Sequence, residues 1–118
     1  MINVPKNVDR EFLVELANTP ICIADFMTSG ISLEEIHIAN LCALGIDYNV
    51  ITDHVGNRFG YQEERFKGLA QFQLNYGKYA IIETAIDLLN AGVPKKTIAI
   101  SLAISTKQID KIIELAEK

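Results

Sequence analysis

The chain has no tryptophan, only three prolines and seven glycines, and two cysteines among 118 residues. So little proline and glycine excludes a fibrous or linker-like chain and leaves long stretches free to form regular structure. Cys22 and Cys42 sit in apolar surroundings with no second cysteine at a metal-ligand spacing. Neither a disulfide framework nor a zinc cluster is indicated, and both are expected as buried, reduced core residues. Long apolar runs are missing too: the uncharged stretches at 36–46 and 97–106 fall well short of the roughly 20 residues a membrane span requires. The opening Met1-Ile2-Asn3-Val4-Pro5-Lys6 carries no apolar leader. The expectation is a cytoplasmic protein without a membrane partner.

Positive charge is also scarce. Lysine and arginine number 11 against 15 acidic residues, for a net charge of −4, which argues against a protein that coats nucleic acid by bulk charge. The average hides an asymmetry. Residues 1–60 carry 3 basic and 8 acidic side chains, residues 61–91 carry 3 and 4, and residues 92–118 carry 5 and 3. Only the last quarter is electropositive.

What is present is a 49% hydrophobic, 22% charged chain of the length of one ordinary domain, and its patterning is helical almost throughout. Phe12, Leu13 and Leu16 recur at helical spacing between Val8 and Ala17, with Asp9 and Glu11 at the positive end of the dipole. A short apolar segment from Ile21 to Met27 stops at Ser29-Gly30. Ser32-Leu33-Glu34-Glu35 has the form of a capping box and opens a helix carrying Ile36, Leu41 and Leu44 before Gly45. Asp47 can cap a further helix with Val50, Ile51 and His54.

Gly56-Asn57-Arg58-Phe59-Gly60 is the clearest break and the candidate hinge between residues 1–60 and 61–118. Beyond it, Phe66, Leu69, Phe72, Tyr76, Tyr79, Ile82, Ile86 and Leu89 fall at steps of three or four. They predict one long helix, with Gly68 and Gly77 as places where it could bend. Most of such a stripe is expected to pack against the core. Phe66, Phe72, Tyr76 and Tyr79 supply more aromatic surface than two small helical units can cover, so they are also the expected interface of a homodimer.

The halves repeat. Ala24-Asp25-Phe26-Met27-Thr28-Ser29-Gly30-Ile31 aligns with Ile86-Asp87-Leu88-Leu89-Asn90-Ala91-Gly92-Val93, and Leu44-Gly45-Ile46-Asp47 aligns with Leu102-Ala103-Ile104-Ser105. The offset changes from 62 to 58 between the blocks, so the first copy has about one extra turn in its middle helix. The expected fold is all-α: two helix-turn-helix-like tri-helical repeats joined by a long helix and sharing one core.

In the second copy, the segment from Thr97 to Ile113 resembles the helix-turn-helix of bacterial DNA-binding proteins. Ala99 is the small residue where the helices cross, Leu102 and Ile104 lock the turn, Ser105 caps the second helix, and Ile109 and Ile113 hold it on the core. Ala103 departs from the pattern, because the family prefers Gly there for a left-handed turn, and Ala costs on the order of 1 kcal/mol. The resemblance implies that Ser105, Thr106, Lys107, Gln108 and Lys111 face double-stranded DNA, with Lys95 and Lys96 near its backbone. The first copy keeps Gly45 but offers Asp47, Asp53 and His54, so it reads as a degenerate scaffold. Tyr76 to Gly92 also resembles the C-terminal tail of recombination-promoting nuclease and transposase-like bacterial proteins, which implies phage or mobile-element surroundings; the nuclease domain of that family has no counterpart here.

No enzymatic constellation emerges. His37 and His54 are 17 residues apart, there is no phosphate-binding glycine loop, and Glu34-Glu35 and Glu63-Glu64 read as a helix start and a solvated face. No cofactor and no metal site are expected. Two classes of function follow: a small DNA-binding transcription regulator acting as a dimer, or a protein-interaction or inhibitor module on the same scaffold. In the second class the acidic first half, around Glu34, Asp47 and Asp53, and the aromatic stripe are the contact surfaces.

Overall fold

Helix starts follow the caps written into the sequence. Thr19 Oγ1 accepts from the Cys22 N–H ahead of Pro20 at the first helical position, and the capping box between Ser32 and Glu35 is closed in both directions. Asp47 accepts from the Asn49 N–H. The computed structural model describes residues 1–56 and 62–117, and the regular structure among them is all helical. In order it comprises α1 (Arg10–Ala17), α2 (Pro20–Thr28), α3 (Leu33–Ala43), α4 (Tyr48–Val55), α5 (Glu63–Asn75), a π-helical segment (Tyr76–Glu83), α6 (Thr84–Asn90), α7 (Lys95–Leu102) and α8 (Thr106–Ala116). Of the expected hinge, Gly56 is described and residues 57–60 lie outside the described residues.

The turns after α2 and α6, and those after α3 and α7, are closed by the same pattern of bonds. After α2, Gly30 and Ile31 donate to the carbonyls of Met27 and Phe26, and after α6, Gly92 and Val93 donate to Leu89 and Leu88. After α3, Gly45 and Ile46 donate to Cys42 and Leu41, and after α7, Ala103 and Ile104 donate to Ile100 and Ala99. Ala103 adopts φ 56°, ψ 40°, the left-handed conformation that Gly45 takes at its own turn. α3 has 11 residues and α7 has 8.

α5, the π segment and α6 follow one another without a break. Their buried line runs through Phe66, Ala70, Gln73, Gly77, Ile81, Ile82, Ala85 and Ile86. This corrects the stripe expected from the sequence, since Phe72 and Tyr79 point outward while Gln73 and Gly77, one position along from Phe72 and Tyr76, point in. The reason is a close approach by α1: a Cβ placed on Gly77 would lie 2.5 Å from the Leu13 carbonyl oxygen.

The largest apolar cluster joins Phe12, Leu13 and Leu16 of α1 to Ile81, Ile82, Ala85, Ile86, Ile98, Ile104, Ile109 and Ile112. Residues Ile2, Val4 and Val8 pack against it as well, so the start of the chain belongs with its end. Smaller clusters hold α2 to α5 together: Cys22, Phe26 and Ile36 in one, and Ile38, Ile51 and Phe66 in another. Leu74 and Tyr76 touch clusters on both sides of the long helix. Among the described residues no helix is long and apolar enough to cross a membrane.

Candidate functional site

α8 was expected to present a wet, basic face, and most of that face is already engaged. Ser105 Oγ accepts from the Gln108 N–H at 3.1 Å, while Gln108 Oε1 accepts from the Ser105 N–H at 2.8 Å. The other end of the same amide, Nε2, donates to Glu15 Oε1 at 3.0 Å. Gln108 is therefore half-buried and bonded at both ends, which corrects the expectation of a solvated base-reading side chain. Its place three residues after the cap carries the cause: Ser-x-x-Gln is a capping box, a signal available in the sequence but read there only at Ser105.

The lysines divide. Lys95 pairs with Asp110 at 2.7 Å, and the Lys111 ammonium lies 4.5 Å from the centre of the Phe12 ring. Lys96, Thr106 and Lys107 are exposed, with no hydrogen bond or ion pair to another described residue. Along the outer side of α8, Lys107 is followed at steps of three and four by Asp110, Glu114 and Glu117, all exposed. Asp110 is neutralised by Lys95, whereas the carboxylates of Glu114 and Glu117 on this ridge repel phosphate.

The aromatic residues expected at a homodimer interface also separate. Phe66 is fully buried against Ile38 and Ile51 and stacks on Tyr48 at 6.1 Å between ring centres, so it is removed from any surface. Phe72 and Tyr79 are 50% and 51% exposed, and Tyr76 is half-buried. Phe72 meets Phe26 edge-on at 5.3 Å and Tyr76 at 6.4 Å. On α2, half-buried Ile23 packs on the same cluster as Phe26 and Tyr76, and Met27 is 51% exposed. Lys78 stands over the Tyr79 ring at 5.3 Å. The result is an apolar face with an aromatic centre and one cation at its edge.

Two buried polar groups escaped the sequence reading. Asn18 and Asn40 exchange side-chain hydrogen bonds at 3.2 and 3.1 Å, Asn18 also donates to the Val14 carbonyl, and Gln73 Nε2 donates to Asn40 Oδ1. This amide triad ties α3 and α5 to the end of α1, and it leaves Gln73 Oε1 buried without a partner. Glu35, also buried, meets Arg65 at 2.7 Å.

Cys22 is buried as expected, whereas Cys42 is only half-buried and lines an open cavity of about 250 Å³ with Tyr48, Asp47, Glu63 and Lys67. Burial first, then Glu63, push the Cys42 thiol up, against the opposing effect of Lys67. A thiol held protonated is a poor nucleophile. His37 and His54 are both exposed, and among the described residues no group of three His, Cys, Asp or Glu is placed to hold a metal ion.

No family model, curated protein or solved structure matches this chain.

Proposed function

We propose that the chain is a helical protein-interaction module that docks a partner protein on the aromatic face of its long helix. The observation that carries this reading is the outward placement of Phe72 and Tyr79, each half exposed, with Phe72 against the rings of Phe26 and Tyr76. Aromatic and methionine side chains are enriched at interface centres, where their large apolar area is worth most once water is excluded. The chemistry of the face fits an apolar helix of the partner with a carboxylate near Lys78. The acidic surface around Asp47 and Asp53 lies outside this contact and contributes solubility and steering.

The test compares pull-downs from the native host with three baits: the wild-type chain, Phe72→Ser/Tyr79→Ser, and Lys107→Glu. A partner retained by the wild type and by Lys107→Glu but lost with the double variant supports the reading. Capture that survives the double variant overturns it.

A second reading, a small helix-turn-helix regulator of phage or mobile-element origin, keeps support from one region. Left-handed Ala103 and the capping residue Ser105 give the turn between α7 and α8 the bonding such a motif needs, and Lys96, Thr106 and Lys107 have no partner among the described residues. Binding of a duplex that weakens by orders of magnitude as salt is raised, and that is lost in Lys96→Glu/Lys107→Glu, would favour it.

A further inference from the structure

The first residues of the chain are held in a way that differs from the rest of the fold. Asn90, the last residue of α6, grips the backbone of Ile2 from both sides: the Ile2 N–H donates to Asn90 Oδ1 and Asn90 Nδ2 donates to the Ile2 carbonyl, each at 2.8 Å. A carboxamide carries the same donor and acceptor as a peptide group, so this pair reproduces one rung of a β-ladder with a side chain in place of the second strand. Such a clasp reads extended main chain and leaves selectivity to side-chain pockets. The pockets are there. Ile2 and Val4 pack on the large cluster, Asn3 between them faces out, Pro5 is buried, and Val8 packs on the cluster again.

The segment is nonetheless loosely seated. Both clasp bonds are open to solvent. Residues Asn3 to Asn7 bridge over an open cavity of about 460 Å³ whose far wall is Leu115 and Ala116 of α8. Lys6 and Asn7, which lead toward α1, are exposed and make no hydrogen bond to another described residue. Contacts of this kind open at low free-energy cost.

We propose that the groove between α6 and the end of α8 is a docking site for an extended apolar segment, and that its occupant is residues 2–8 of a second copy of this chain, exchanged reciprocally. Chemical identity favours a second copy. A reciprocal exchange restores every clasp bond and every pocket contact in both molecules, whereas any other peptide leaves the segment it displaces without those contacts. Nine extended residues reach up to about 30 Å, enough to cross to a neighbouring molecule. This groove is separate from the aromatic face, which lies on other elements.

Two full-length variants test it. In Asn90→Leu the segment is intact and the clasp is gone; in Ile2→Asp/Val4→Asp the clasp is intact and the segment is gone. With a fluorophore on Met1 of the first, which is fully exposed, mixing should raise its anisotropy to a 1:1 end point across the micromolar range. A synthetic peptide of residues 1–9 should reverse the rise, and a peptide with Ile2 and Val4 replaced by Asp should not. If circular dichroism shows the Asp variant unfolded, Ile2→Thr/Val4→Thr takes its place. Absence of association between folded variants overturns the proposal, as does association that the peptide cannot displace, which is how pairing through the aromatic face would read.

Discussion

A single hydrogen-for-methyl exchange separates two glycines of the long helix. At Gly77 a Cβ would sit 2.5 Å from the Leu13 carbonyl oxygen, whereas at Gly68 nothing lies within 4 Å. Gly77→Ala should destabilise the fold by about 1–3 kcal/mol or more through overpacking. Gly68→Ala should stabilise it by about 0.5–1 kcal/mol through helix propensity, and urea unfolding of the pair reads both signs. Ala103 holds a left-handed conformation, so Ala103→Gly should add up to about 1 kcal/mol. Within the amide triad the two ends differ. Gln73→Leu removes an orphan oxygen and leaves Asn18 and Asn40 bonded to each other, so it should be close to neutral. Asn40→Leu strands both partners and should cost about 2–3 kcal/mol. Cys22 adds a dependence on pH: burial, helped by Asp25, pushes its thiol from 9.0 up to about 11. A raised folded-state value means that its contribution is complete below about pH 9 and is lost as pH rises toward about 11, as denaturation midpoints should show against Cys22→Ala as reference.

Single elements were the most legible level. The stops at Gly30, Gly45 and Gly92, the Ser32 capping box and the Asp47 cap all stand where the sequence puts them, because each depends on residues only three or four positions apart. The facing of the long helix was not legible in the same way. Hydrophobicity favours Phe72 over Gln73 and Tyr76 over Gly77, but burial along this helix is decided by how near α1 comes and by an amide bonded to Asn40, neither of which is local. The α8 site shows the same division. Its cap was readable, whereas the Glu15 carboxylate that occupies Gln108 lies 93 residues away. Ser105→Ala should cost about 1 kcal/mol of stability and release the Gln108 amide, visible as loss of amide-exchange protection in the first turn of α8.

At the scale of the whole molecule, the chain folds back on itself so that residues 2–16 complete the core built by residues 81–112, while α2 to α5 build a second set of clusters on the far side of the long helix. Sequence offsets could suggest two units but not that α1 would be lent to the second. The π segment at Tyr76–Glu83 lies where these two bodies meet. Its i→i+5 bonding fits one more residue into a turn than an α-helix does. The number of residues between Tyr76 and Glu83 thus acts as a phase angle between the aromatic face upstream and α7–α8 downstream. Removing one of them would shift the bearing of everything that follows relative to α5, leaving both surfaces chemically intact but differently aimed.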